Sequence, residues 1–284
     1  MGIQKQRAGV FAAYPLSVTK RFEVGSAMEF YKQRYDRYTY NFVFNNAGQY
    51  LGRYDERERL QGGGALQLSN INVAFVGDNS YFGMTAPLQG YRYRIGVEQY
   101  FGGFNFTTLL LDGRRYFYMR PFTLAFRGMG YGRFGGNSDE VFPLFAGSPN
   151  FVRGYTRKVF DGDTTGLITR MAGSKIVVGN AELRIPFTGP RRLSLIKAVF
   201  LITDLNLFFD AGLAFYDRTS FQEEDPTPFD GQDHFVHRPI LSTGASIRIN
   251  LFGYLVLEPY FAFPISAPED RRQWVWGLNF IPGW

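Results

Sequence analysis

The sequence predicts an all-β protein, and among those an antiparallel barrel that crosses a membrane. Three observations carry this reading. Apolar and aromatic residues recur at every second position along nearly the whole chain, the alternation of strands with two unlike faces. The opposite parity carries ions in mid-strand, such as Arg94, Asp112, Arg127, Glu182, Asp210, Arg248 and Glu258, which suits a polar lumen. The alternating segments are also longer than ordinary strands and crowd aromatics at their ends, as at Tyr14, Tyr100-Phe101 and Phe215-Tyr216, which suits girdles at two membrane interfaces.

In chain order, strands are expected over 8–15, 21–35, 64–76, 89–100, 105–119, 122–132, 175–187, 198–216, 239–249, 253–264 and 273–284. Leu16–Lys20 joins the first two as a short connection, and Asp36–Gly63 is a long one. Gly77–Leu88 is a longish inner turn, Gly102-Gly103 a tight outer one, and Arg120-Pro121 a short inner one. Gly128-x-Gly130-x-Gly132 reads as small residues in a strand rather than a phosphate loop. Arg133–Ser174 and Asp217–Arg238 are the remaining long connections, and Asn250–Phe252 the last short one. Short turns alternating with long loops fit periplasmic turns and outer loops.

Four strands show their faces plainly. Within Lys175–Phe187, Val177, Ala181, Leu183, Ile185 and Phe187 stand against Asn180, Glu182 and Arg184. The 198–216 segment sets Leu205, Leu207, Phe209 and Leu213 against Asn206, Phe208, Asp210 and Gly212. In 239–249, Leu241, Thr243, Ala245, Ile247 and Ile249 oppose Ser242, Gly244, Ser246 and Arg248. The last segment puts Trp274, Trp276, Leu278, Phe280 and Trp284 on one parity. Arg115 falls on the lipid parity, where a midplane arginine costs ~2–4 kcal/mol, so it is expected near the inner end, with its head snorkelling to the interface. An odd strand count sets the two termini on opposite sides. Either Arg37–Phe44 is a further strand or the chain begins partway round a larger barrel.

Composition excludes several classes. With 45% hydrophobic residues, 18% aromatics and 33 glycines the chain is too apolar and patterned for disorder, and without cysteine it has no disulfide or thiolate chemistry. No apolar run approaches the ~18 residues a spanning helix needs. The first residues, Met1–Arg7, form neither a secretory signal nor a myristoylation pattern, so any export signal has been removed or lies upstream. The net charge of +6 comes from arginines scattered singly, which argues against a nucleic-acid face.

One pair of motifs stands out. Phe151-Val152-Arg153-Gly154-Tyr155 lies within the longest loop, and Phe208-Phe209-Asp210-Ala211-Gly212 puts an aspartate on an inward face. A loop confined inside a barrel gives up conformational entropy, so something must hold it. Arg153 offers a planar, permanently charged fork matched to a carboxylate, and Gly154 lets the backbone approach the wall. The blander reading makes Arg153 a solvated loop residue and Asp210 simple lumen lining.

These motifs resemble the bacterial surface antigen superfamily of outer-membrane barrels, which includes BamA/TamA-like insertases and the two-partner secretion translocators. The resemblance covers nearly the whole chain, as the last eleven (or twelve, counting Arg37–Phe44) of the family's sixteen strands. It implies that Val152, Arg153, Gly154 and Tyr155 form the in-folded tip of the family's long outer loop, here 133–174. It also implies lumen partners at Glu182, at Asp210 and at Arg248 in Gly244-Ala245-Ser246-Ile247-Arg248, where Ser246 replaces a common glycine. The whole of 1–284 is then one membrane domain in the outer membrane of a Gram-negative bacterium, without the family's periplasmic POTRA domains and first strands. The implied partners are membrane lipid, client outer-membrane or secreted polypeptides and accessory periplasmic or lipoprotein subunits, with no nucleic acid and no cofactor.

The final strand resembles the C-terminal assembly signal of barrels through Trp276, Phe280 and Trp284. Gly277, Pro282 and Gly283 weaken it, which suggests a closing seam where a client strand adds by edge pairing; the alternative is that Pro282 and Gly283 merely end the strand. His234 and His237 with Asp230 and Asp233 could hold a metal but read better as a solvated loop, and no catalytic elbow, triad order or phosphate loop appears, so no enzyme is expected. The competing functional reading is a passive pore or the membrane anchor of a fused periplasmic domain, with the loop as plug. A soluble all-β binding protein is the third.

Overall fold

The structure, a computed structural model, describes residues 2–44, 48–60, 66–83, 85–155, 167–198, 201–217, 237–251 and 255–282. In chain order its strands are β1 (Gly2–Ser17), β2 (Lys20–Phe44), β3 (Tyr50–Leu60), β4 (Leu66–Asp78), β5 (Tyr81–Phe82), β6 (Pro87–Gly102), β7 (Phe106–Met119), β8 (Phe122–Phe134), β9 (Leu144–Phe145), β10 (Ala172–Gly173), β11 (Lys175–Gly189), β12 (Ile196–Lys197), β13 (Ile202–Phe215), β14 (Ile240–Leu251), β15 (Leu255–Pro264) and β16 (Val275–Pro282). One antiparallel path runs β1-β2-β4-β6-β7-β8-β11-β13-β14-β15-β16, with β3, β5 and β12 attached at its sides. The strand number and the antiparallel order match the sequence expectation.

Closure does not. Among the described residues β1 and β16 remain unpaired edges, so the structure is an open barrel wall rather than a ring. The wall nevertheless curls about a lumen. Thr85, in the turn between β5 and β6, hydrogen-bonds Asp204 on β13, and Arg184 on β11 reaches the Pro87 carbonyl at 3.2 Å, although β7 and β8 separate β6 from β11 in the sheet.

The burial pattern is that of a barrel wall in lipid, inverted relative to a soluble core. Phe22, Val24, Met28 and Phe30 on β2 face outward and exposed, while Glu23 and Glu29 between them are buried. The same alternation exposes Leu207 and Phe209 on β13 and buries Asn206 and Asp210. Burying carboxylates while exposing phenylalanines is unfavourable in water and expected when the outer solvent is hydrocarbon. Arg115 does face outward, lodged between the rings of Tyr91 and Phe117 at 5.9 and 5.2 Å.

Two segments depart from the expected bounds. Arg37–Phe44 is no separate strand but the continuation of β2, which pairs with β3 from Tyr35↔Leu60 to Phe44↔Tyr50 as a projecting hairpin. The sequence hides β3 because Arg53, Asp55, Glu56, Arg57 and Glu58 charge both parities, leaving no apolar face to recognise. In the segment read as strand from 198, β13 of the main path spans Ile202–Phe215, and Ile196–Lys197 pairs in parallel with the end of β11.

Candidate functional site

The site is built where β11, β13, β14 and β15 present their polar parity to the lumen and the loop between β8 and β11 folds onto them. A turn at Ser148–Val152, closed by Phe151 N–H and Val152 N–H donating to the Ser148 carbonyl, delivers Val152-Arg153-Gly154-Tyr155 to the wall. Arg153 is 4% exposed. Its Nε and Nη2 donate to the two oxygens of Asp210, each at 2.8 Å, a fork-on-carboxylate geometry. Nη2 also reaches Glu182 at 3.0 Å and Nη1 reaches Glu258 at 3.0 Å, while the backbone N–H of Arg153 donates to Asp210 at 3.2 Å. Beneath the guanidinium lies the Phe208 ring, 3.6 Å from its centroid.

This is one member of a larger network. Arg248 donates to both oxygens of Glu182 at 2.9 and 3.0 Å and pairs with Glu258 at 3.2 Å. Arg184 pairs with Glu182 at 2.7 Å. Three guanidiniums, of Arg153, Arg184 and Arg248, thus face three carboxylates, of Glu182, Asp210 and Glu258, so the buried charge is balanced, as removal from water demands. Burial disfavours the charge on the loop residue Arg153, but the Asp210 hydrogen bond and the fields of Glu182, Asp210 and Glu258 outweigh it and hold its pKa above the usual arginine value. The guanidinium therefore stays charged at any physiological pH.

The glycines of both motifs have steric reasons. Gly154 takes φ +96° and lies where a Cβ would stand 2.9 Å from that of Ala262, so only glycine lets the tip lie flat on the wall. Gly212, the last residue of the Phe208–Gly212 motif, leaves room for the fully buried Val152, whose Cγ2 would be 2.6 Å from an added Cβ. Ser246 donates to Glu258 at 2.8 Å and so completes the network.

Sequence reasoning missed several partners. Glu258 was recognisable as lumen-facing, but only strand register brings it to Arg153. Asn180 donates to the Phe151 carbonyl and to Asp210 at 2.8 and 2.9 Å, Arg127 to the Asn150 carbonyl at 2.9 Å, and the Tyr155 hydroxyl to the Leu241 carbonyl at 2.8 Å. Around them Val152 and Tyr155 pack with Met129, Ile176, Val178, Ala214 and Ile240. Those last five are apolar residues on the lumen parity, a departure from the polar pattern that marks the bed of the loop.

A profile of the Omp85 superfamily domain matches residues 1–280. The chain belongs to the Omp85 superfamily. Among solved structures, it is similar to BamA from Haemophilus ducreyi lacking POTRA domains 1-3, at 14% identity and a TM-score of 0.62 over 98% of this chain and 55% of that one. It is also similar to CdiB from Acinetobacter baumannii, at 14% identity and a TM-score of 0.54 over 98% of this chain and 41% of that one. These likenesses are of fold, and the chain spans about half the length of the proteins compared. No curated protein sequence matches it.

The remaining candidates fall elsewhere on this Omp85 wall. Trp276 and Phe280 on β16 point outward, 74% and 58% exposed, away from the arginine network, although Phe280 sits in the strand beside Asn279, which pairs with Glu258. Gly277 faces inward under Tyr260, whose ring would lie 2.4 Å from a Cβ there, so a packing reason accounts for that glycine. Trp284 lies outside the described residues. So do Asp230, Asp233 and His234 of the considered metal set, while His237 is buried with Nδ1 at 2.7 Å from the Ala214 carbonyl.

Proposed function

We propose that this chain is the membrane-embedded part of an outer-membrane protein insertase or translocase of a Gram-negative bacterium, acting without covalent chemistry, with its long loop held inside the lumen by Arg153. The observation that carries the reading is the buried fork of Arg153 on Asp210, reinforced by Glu182 and Glu258. Family membership supports handling of polypeptide clients. The tip is held by this ion network together with an apolar bed around Val152 and Tyr155, so opening the network is the step that would free it as a client passes. The open edge of β16, which carries Trp276, Gly277 and Phe280, is the proposed edge for client strand addition, and accessory subunits are proposed as further partners.

A passive pore or membrane anchor is the second reading, favoured by one observation. The lumen is entered from both ends, by the loop tip and by the turn that carries Thr85, as in a plug. Substituting Arg153→Ala in the complete protein separates the two. Defective assembly or secretion of clients supports the insertase, whereas raised conductance with normal membrane biogenesis supports the plugged pore. Crosslinking Gly277 to the first strand of the complete barrel tests the edge: unchanged client assembly would remove it from the mechanism.

A further inference from the structure

On the lipid side of the same wall lies an apolar depression of about 540 Å³. Its floor is made of short side chains, Ala181 on β11 and Thr243 and Ala245 on β14, and its rim of Phe126, Phe209, Phe261 and Trp274. Strand register produces the groove. Ala181 pairs with Phe126 on one side and Phe209 on the other, Phe209 pairs with Thr243, and Ala245 with Phe261, so small residues line up between aromatic ones across five strands. Phe261 and Trp274 stack at 4.8 Å with 7° between their planes, which makes that rim a stiff wall. Phe208 and Gly244 also border the groove, and the Phe208 ring carries Arg153 in the lumen.

We propose that this groove is a binding site for one acyl chain of a membrane lipid. It opens on the parity that exposes Leu207, Phe209, Phe261 and Trp276, so it is continuous with the hydrocarbon-facing band, and the hydroxyl of Thr243 on its floor is already bonded to the Phe208 carbonyl. A flat wall touches a passing lipid tail on one side. Here aromatic rings flank the tail and the alanine floor meets it from below, so it gains dispersion contacts on three sides and an empty groove forfeits them. The seated chain also supports Phe208 from behind, which couples lipid occupancy to the platform on which the loop arginine rests. The site requires only that the wall lie in a membrane and does not depend on the insertase reading.

The test uses the full chain refolded directly into bilayers of brominated phosphatidylcholine, with Trp284→Phe and either Trp276→Phe or Trp274→Phe, so that Trp274 or Trp276 alone reports near this edge. Trp274 is the less exposed of the two, 53% against 74%, so exposure alone would make Trp276 the more strongly quenched. The expected result is the reverse, with Trp274 fluorescence recovering more slowly than that of Trp276 after dilution into unbrominated vesicles. Ala245→Phe, or Ala181→Leu should the first fail to fold, fills the groove and is expected to abolish the delay and the lipid adduct seen by native mass spectrometry. Equal recovery of the two tryptophans overturns the proposal, as does an adduct whose mass is that of a polypeptide.

Discussion

Two regions of the lumen wall bury the same chemistry in different settings. On β2, Glu23 pairs with Arg21 and Arg94, and Glu29 with Lys5 at 3.0 Å and Arg7 at 3.4 Å. The carboxylates there are as buried as Glu182 and Glu258, but Lys5 and Arg7 are about half exposed, whereas Arg153 and Arg248 are almost wholly enclosed. An ion whose partners are solvated is screened, and losing it strands nothing. An ion enclosed with its partners leaves them uncompensated when removed. Among the described residues the loop covers the wall that carries Arg153, so the charge cluster there is enclosed by a second segment.

The sharpest way to break this contrast is Arg153→Ala. Removing the shared cation leaves Asp210 without its fork, with an expected loss of ~3–5 kcal/mol in loop docking. Because the chain has no cysteine, Val152→Cys gives a single reporter that is fully buried when the loop is seated. Maleimide labelling of that cysteine should rise steeply in the arginine variant, and labelling that stays slow would show that the apolar bed alone holds the tip. Glu182→Gln comes next. It keeps shape but removes the charge shared by Arg153, Arg184 and Arg248, at an expected cost of ~2–3 kcal/mol through lost charge-assisted hydrogen bonds, read by the same labelling. Gly212→Ala tests packing instead of charge. Its methyl group meets Val152, and an overpacking cost of ~1–3 kcal/mol should loosen the tip while leaving the six ions of the network intact. Thermal unfolding in detergent separates this local loosening from loss of the wall itself.

The strands and the site were not equally legible from sequence. Period-2 patterning located β7 and β8 nearly to the residue, because lipid outside and a polar lumen inside impose opposite chemistry on alternate positions. It failed at β3, where both faces meet water and carry charge. Arg153, Asp210 and Glu182 were readable as an arginine and inward acids in motif context. Glu258 was not readable as a partner, because its proximity depends on the β13–β14 and β14–β15 registers, in which Asp210 faces Ser242 and Ser246 faces Tyr260. The Asn150, Phe151 and Leu241 carbonyls that receive side-chain donors leave no trace in sequence at all, since every residue has a carbonyl. The available but unused signal was Ile176, Val178 and Ile240, apolar residues on the lumen parity at the long-loop ends of their strands.

The smallest expected effect completes the comparison. Glu29→Gln makes the same isosteric change as Glu182→Gln in a carboxylate that is at least as buried. Lys5 and Arg7 can turn to solvent when it is neutralised, and the Tyr31 hydroxyl, 2.5 Å from the carboxylate, can donate to the amide oxygen that replaces it. The expected cost is therefore ~0–1 kcal/mol, with unchanged labelling of the buried Val152→Cys reporter. If Glu29→Gln instead released the loop as strongly as Glu182→Gln, burial of the acid rather than enclosure of its cations would set the strength of these pairs, and the distinction between the two walls would be lost.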